Sequence, residues 1–315
     1  MRLEKSAGGD WPALPCPIQQ HPSYGKSVRR LGGTVGRYRI LSGENEIGRV
    51  QVLFRRWGPF RLAWVGRGPV WLAGVPEADR RAALAELAGA LPGVALVQAD
   101  SAAEARWLGA PALMTAPSVA ELDLAAPGAD RMARQHGKWR NRLRKAQAAG
   151  LTVRNRTVDM AADADLLTRE AEQRKARGYT ALPPAFLHHW AGRDPQATRL
   201  FTAHHGQDTV AFMLFLLHPP VATYHVGWSG AAGRRTSAHH LLLWQASEWL
   251  AARGFVRLDL GTVDTETSPG LARFKIGSGA RIRAIGPTLL PLPRFLRHPS
   301  AVVRAFPLAI RRNRG

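Results

Sequence analysis

The stretch LFTAHHGQDTVAFMLFLLHPPVATYHVGW, residues 200–228, decides the fold. It reads as three strands, Leu200–His204, Thr209–Leu217 and Ala222–Trp228, with hairpin-like breaks at His205-Gly206 and Pro219-Pro220. Working outward, Ser237–Arg253 reads as a helix and Val256–Leu260 as a short buried-type strand. The first half repeats this succession. Thr34–Leu41, Ile47–Trp57 and Phe60–Val65 form a meander turned at Gly43 and Trp57-Gly58-Pro59. Val75–Leu91 follows as a helix with Ala83, Leu84, Leu87 and Leu91 at helical spacing, and Gly93–Gln98 as a buried strand. The economical arrangement is α/β (α+β), two tandem copies of one unit, each a mixed sheet flanked by helices. A single large mixed sheet is the alternative. A dinucleotide fold would need a Gly-rich fingerprint straight after its first strand, and none is there.

The 315 residues suit two domains of ordinary size. One cysteine, Cys16, rules out a disulfide framework and a thiolate zinc site. The longest apolar run, Val210–Leu217, is too short to cross a membrane, and the N-terminus lacks the apolar core of a secretory signal, so a cytoplasmic location is expected. Forty-four Lys and Arg against 23 Asp and Glu leave a net charge of +21. Such a field attracts polyanions, whether nucleic acid, an anionic membrane face or phosphorylated substrates, although an arginine-heavy composition alone produces the same number. The basic residues concentrate on Ala129–Ala149, which reads as one helix: Met132, His136, Trp139, Leu143 and Ala146 share a face. Arg131, Arg134, Lys138, Arg140, Arg142, Arg144 and Lys145 fill the rest, and Gly150 ends it. Further on, Leu151–Thr157 reads as a strand, Asp163–Arg177 and Pro184–Trp190 as helices, Arg281–Leu289 as a final strand and Arg294–Arg314 as a basic, weakly amphipathic helix.

Most familiar chemistries are missing. The histidines stand largely in adjacent pairs (His188-His189, His204-His205, His239-His240), whose side chains point apart, so no metal site is expected. No nucleophile elbow or Walker loop occurs. What remains is Leu258–Asp264 followed by Ser268–Gly277. A buried strand stops at Gly261, exits into a polar loop, and returns to the pair Phe274-Lys275. A lysine at such a place can donate to an oxyanion developing on a carbonyl, or can simply be a solvated side chain after a turn.

That stretch resembles the signature of the Fem-type (FemABX) aminoacyltransferases, within the GNAT-like acyltransferase superfamily. The matching residues are Asp259-Leu260-Gly261-Thr262-Val263-Asp264, Pro269-Gly270-Leu271, Phe274-Lys275 and Gly277-Ser278-Gly279, with Thr262 where a second glycine is usual. Lys138–Ala146 is similar to the family's basic helix at the opening of its second domain, and Gln20–Lys26 to the start of its first. The resemblance implies two GNAT-like domains, 1–125 joined by 289–315, and 126–288. It implies transfer of an aminoacyl group from aminoacyl-tRNA to an amine on a phosphate-bearing acceptor such as a peptidoglycan precursor, with no cofactor and no stable protein partner. Lys275 would then be catalytic, stabilising the tetrahedral intermediate. Lys26 and Arg174 would contact the acceptor's phosphates, and Gly261, Asp264, Gly270 and Phe274 would shape the substrate site. Lys138, Arg140, Arg142, Arg144, Lys145, Arg234 and Arg235 would meet nucleic acid or another anion.

Two other readings stay open. Gly230–Ala238 is a degenerate pyrophosphate turn ahead of a helix that Ser237 would cap, which fits an acyl-CoA-dependent N-acyltransferase. A non-catalytic adaptor would use the basic helix to bind RNA or the inner face of an anionic membrane.

Overall fold

Val210–Leu217 is buried along its whole length, and from Ala211 on its side chains alternate between two cores: Ala211, Met213, Phe215 and Leu217 enter one, Phe212, Leu214 and Leu216 the other. A strand covered on both faces needs no polar alternation, which is why this run is continuously apolar.

The computed structural model describes residues 1–6, 11, 13–178 and 181–291. Its elements begin with β1 (Arg2–Lys5), α1 (Pro22–Arg30), β2 (Thr34–Ser42), β3 (Asn45–Trp57), β4 (Phe60–Gly66), β5 (Val70–Trp71), α2 (Glu77–Ala90) and β6 (Val94–Gln98). Next come α3 (Ala102–Trp107), β7 (Ala112–Met114), β8 (Ser118–Asp123), α4 (Gly128–Arg134), α5 (Gly137–Gln147), β9 (Thr152–Arg156), α6 (Ala164–Ala176) and α7 (Pro184–Arg193). The chain continues through β10 (Thr198–His205), β11 (Asp208–His218), β12 (Val221–Ser229), α8 (Ala231–Arg235) and α9 (Ala238–Ala251). It finishes with β13 (Arg257–Val263), α10 (Pro269–Gly277), β14 (Arg281–Ala284) and β15 (Thr288–Leu289).

The described residues fall into two units: those within 1–7, 34–115 and 286–315 form the first, and those within 8–33 and 116–285 the second. The first carries the sheet β1-β2-β3-β4-β6-β15-β7, with β5 on β3, and the second the sheet β14-β8-β13-β12-β11-β10-β9. Each has an antiparallel meander (β2–β3–β4, β10–β11–β12), then a helix (α2, α9), then a strand parallel to the meander's last (β6 on β4, β13 on β12). The expected two mixed sheets with flanking helices are therefore present.

Four expectations need correction. The segment around Lys26 belongs to the second unit: it forms α1, whose Tyr24 ring lies 5.2 Å from that of Phe186 on α7, and Ile18 just before it is in the second unit's core. The basic helix is two helices. At Gln135 and His136 the backbone is extended, because the His136 N–H donates to Gly277 O of α10 (3.0 Å) instead of continuing the helix. Arg131 is not a solvated charge; it is buried, donating to Leu124 O and Ala126 O at 3.0 and 2.9 Å and paired with Glu248. The last strand is divided, β14 pairing with β8 in the second sheet and β15 with β6 and β7 in the first. The expected helix at Arg294–Arg314 lies outside the described residues.

Candidate functional site

The two units differ where their parallel strands end. In the first, the β4–β6 ladder runs from Leu62↔Val94 to Gly66↔Gln98, the ends of both strands. In the second, β12 and β13 pair only from Val221↔Arg257 to Thr223↔Asp259, then part while β12 continues to Ser229 and β13 to Val263. Into this gap opens a cleft of about 1020 Å³, lined on one lip by Tyr224–Gly227 and on the other by Leu260–Thr262. Each lip has a bulge. Leu214 pairs with Val226 but Phe215 with Tyr224, leaving His225 extra on β12. On β13, Asp259 and Thr262 face Glu121 and Val119, and Gly261 takes φ +77° there, a conformation that favours glycine.

Lys275 points into this bulge. It sits in the last turn of α10, a nine-residue helix started by Pro269, and not in a loop as its Gly-rich surroundings suggest. It is buried (6% exposed), and Nζ donates to Thr262 O at 2.7 Å. A Cβ at Gly261 would stand 3.8 Å from Nζ, so the glycine leaves the ammonium open on that side. Burial pushes the Lys275 ammonium down to about 8, opposed by the charge of buried Asp259, whose Oδ1 accepts from Gly261 N–H (2.7 Å). At neutral pH it is still mostly a cation, held in a desolvated place where a hydrogen bond to an oxyanion is strong.

Helix α5 fixes this arrangement. The last carbonyls of α10 need partners. Trp139 Nε1 donates to Phe274 O (3.1 Å), Ser278 to Lys275 O, Gly279 N–H to Ile276 O and His136 N–H to Gly277 O. The Trp139 ring packs so close to Gly277 that a Cβ there would lie 2.9 Å from Cδ1.

Most of the expected site residues line the cleft, among them Arg174, Gly261, Asp264, Gly270, Phe274, Arg142, Lys145, Arg234 and Arg235. Others do not. Lys26 is exposed on α1 and is not part of the lining. Lys138 is exposed outside it, Arg140 turns back to Ala133 O (3.2 Å) and Gln135 O, and Arg144 donates to Asn141 Oδ1 (3.3 Å). Two residues have different work from that expected. The Asp264 carboxylate accepts from the N–H groups of Glu266 and Thr267 and from the Thr267 hydroxyl, so it builds the loop before α10. Ser237 does not cap α9; it takes φ +60° and makes no capping bond with its side chain.

Arg174 is paired with Glu170 (3.1 Å), whose carboxyl burial raises against the pull of that arginine. The sequence reading missed the cleft's histidines, His225, His239 and His240, because it weighed histidines only as shared metal ligands. Among the described residues no cluster of three or more His, Cys, Asp or Glu has the geometry to hold a metal.

Burial pushes His225 and His240 down to about 4, assisted by Arg174 and Arg142 respectively, so both are neutral in the folded protein at pH 7. In the unfolded chain they take up protons near 6.5. Their contribution is complete above that value and is lost as pH falls through the window from 6.5 toward 4. Each can cost up to ~3 kcal/mol at the acid end. Thermal melts should therefore fall steeply across this window, and His240→Phe, which suits a site between the Trp139 and Phe274 rings at 4.9 and 5.2 Å, should flatten the slope.

Residues 133–275 match the family model described as an acetyltransferase (GNAT) domain. Among solved structures, the crystal structure of FemX superposes with a TM-score of 0.73 at 13% identity, over 94% of this chain and 98% of that one. A tandem GNAT protein from the clavulanic acid biosynthesis pathway gives 0.51 at 14% identity, over 93% and 99%. The C-terminal domain of a putative lysylphosphatidylglycerol synthetase from Agrobacterium fabrum gives 0.53 at 15%, over 86% and 88%. A search of curated proteins finds no match. The fold is the tandem GNAT fold of these structures, and residues 133–275 match the acetyltransferase (GNAT) domain model.

Proposed function

We propose that this chain moves an aminoacyl group from aminoacyl-tRNA to an amine on a phosphate-bearing acceptor such as a peptidoglycan precursor. The observation that carries this reading is Lys275: a buried ammonium at the parting of β12 and β13, in a cleft bordered by Arg142 and Lys145 from α5, Arg174 from α6 and Arg177 just after it, and Arg234 and Arg235 from α8. The basic border suits a polyanionic donor and a phosphorylated acceptor. The donor ester is already activated, so proximity to the amine and stabilisation of the oxyanion by Lys275 supply the main catalytic effects. The Fem-type signature and the likeness to FemX point to the same donor. No helix among the described residues is long and apolar enough to cross a membrane; a net charge of +21 suits peripheral contact with an anionic inner face.

The basic border gives a direct test. Removing Arg142, Lys145, Arg234 and Arg235 together should weaken tRNA binding and flatten its salt dependence, by about 0.7–0.9 in slope per lost phosphate contact. Removing Arg140 and Arg144, which do not line the cleft, should change the slope little. An unchanged slope in the first variant sinks the nucleic-acid role of the cleft.

A second donor has its own support. Gly233 is pressed against β11, where an added Cβ would meet Val210 O at 2.3 Å, so α8 and the start of α9 approach the strands closely beside the cleft. Together with the acetyltransferase domain match, this favours acyl-CoA as the alternative. Titration with each donor decides: binding of acetyl-CoA with none of aminoacyl-tRNA moves the protein to the acyl-CoA class.

A further inference from the structure

The first unit carries a projection that the cleft chemistry does not use. Strand β2 last pairs with β3 at Thr34↔Phe54, and β6 first pairs with β4 at Leu62↔Val94. Beyond Phe54, β3 pairs with β4 alone, through Arg55↔Leu62, Arg56↔Arg61 and Trp57↔Phe60. The hairpin therefore stands clear of its sheet by residues 55–57 of β3, roughly 10 Å of strand. Gly58 and Pro59 make its turn. Gly58 takes φ +57°, and a Cβ added there would meet nothing within 4 Å. Phe60 is 57% exposed, and Arg55, Arg56, Pro59 and Arg61 are exposed around it.

The charge on this finger is uncompensated. Arg56 and Arg61 stand directly opposite one another, and like charges in that position repel and weaken a hairpin. No Asp or Glu occurs between Glu46 and Glu77. Nor is there one in residues 91–98, whose Gly93 lies so close to the hairpin that an added Cβ would stand 2.2 Å from Arg61 O. Among the described residues, Arg55, Arg56 and Arg61 have neither an ion pair nor a side-chain hydrogen bond. Anionic groups meeting the tip would offset the repulsion between its arginines.

We infer that the β3–β4 hairpin is a membrane-docking finger that seats its apex in the headgroup layer of an anionic bilayer. The inference rests on the peripheral contact given above, whose surface it names, and on nothing in the donor chemistry. Amphipathic elements settle about 5–10 Å into the boundary between headgroups and acyl chains. A finger of roughly 10 Å reaches that depth without taking the rest of its sheet into lipid. Pro59 and Phe60 then meet the boundary layer, where aromatic rings are favoured. Arg56 and Arg61 form the pair next behind Trp57↔Phe60, and Arg55 follows, so these cations lie at the level of the lipid phosphates. Their long stems let the guanidinium groups reach back toward water. A nucleic-acid backbone would engage the arginines but leave the apolar apex in solvent, which is why a lipid surface is the better fit.

Sedimentation of the full chain with vesicles, without donor or acceptor, is the test. Vesicles of phosphatidylcholine mixed equally with phosphatidylglycerol are compared with vesicles of phosphatidylcholine alone. Expected is binding to the mixed vesicles that weakens with added salt, and little binding to the neutral ones. Arg56→Ser with Arg61→Ser should weaken partitioning about 30-fold, and Phe60→Ser about tenfold. A chain of net charge +21 adsorbs to any anionic surface, so a control removes the same charge elsewhere in the first unit. Arg81→Ser with Arg106→Ser, exposed positions on α2 and α3, should weaken binding by no more than about threefold. Equal losses in the two double variants, or parental binding by Phe60→Ser, overturn the finger. So does a tip double variant that loses tRNA binding and keeps its hold on vesicles, which makes the hairpin an RNA contact. Without lipid, the tip double variant should melt no lower than the parent, because it removes a like-charge pair; a pronounced fall in Tm overturns the uncompensated pair on which the inference stands. The two readings fail separately. An active transferase that ignores both kinds of vesicle sinks the finger alone, and tip-dependent binding by a chain that moves no acyl group from either donor sinks the transferase reading alone.

Discussion

Replacing Lys275 with methionine lowers kcat by about 10²–10³ while leaving substrate affinity nearly unchanged, the signature of losing one oxyanion donor. The geometry makes this sharper than a generic loss of charge. Nζ is already fixed by Thr262 O at 2.7 Å, so one of its three N–H bonds holds the ammonium in place and the others are left for substrate. Methionine has a similar length and is apolar, so it fills the buried site. Removing an ammonium that burial has pushed down to about 8 also removes a charge the fold tolerates poorly, so the variant should melt within a few degrees of the parent at neutral pH. The same value sets the pH dependence. The protonated form does the work, so wild-type kcat should fall as pH rises through about 8, and this basic limb should be absent from the methionine variant's residual rate. Lys275→Arg should rescue poorly: a planar fork cannot occupy the space beside Gly261 with a compact ammonium's geometry. Normal turnover by Lys275→Met, with whichever donor the protein uses, removes Lys275 from the mechanism.

The repeated unit was legible because it is written in local patterns. The meander at 200–228 announces its strands by apolar runs and its turns by Gly and Pro, and the same grammar recurs at 34–65. Lys275 was legible through a motif rather than through physics: nothing in its spacing predicts that α10, a short helix, would carry it under a glycine bulge. What stayed hidden depends on contacts between distant segments. The residues before Thr34 look like the start of the first unit until Tyr24 is found against Phe186. The basic helix keeps its apolar periodicity across Gln135 and His136, with Gly137 as its one weak point, and it breaks there where a carbonyl at Gly277 takes the His136 N–H. Arg131 and Arg142 are equally basic in sequence, yet one is buried against Leu124 O and Glu248 and the other lines the cleft. His239 escaped for a similar reason, since the carbonyls that fix its ring lie on two strands ahead of its own helix.

Trp139→Ala should be the most destabilising single change near the site and should also abolish turnover. The side chain is buried (4% exposed) and reaches three partners at once: the His240 ring at 4.9 Å, the Phe274 ring at 6.0 Å, and Phe274 O through its indole N–H. Truncating a buried tryptophan costs about 3–5 kcal/mol, which for a unit of this size lowers Tm by on the order of 10 °C. Activity should fail for a separate reason. Phe274 precedes Lys275, and the carbonyl that Trp139 holds is one of those at the end of α10 with no partner inside its own helix, so losing it frees the turn that aims Nζ. Trp139→Phe separates the two effects. It keeps an aromatic ring in place but deletes the N–H together with part of the indole, so stability should fall by about 2 kcal/mol, less than for alanine. The misplaced ammonium should still lower kcat, on the order of tenfold, with KM little changed. Full activity in Trp139→Phe alongside a reduced Tm would mean that α5 only supports the fold; a fall in kcat larger than the stability loss explains makes Trp139 the residue that positions Lys275.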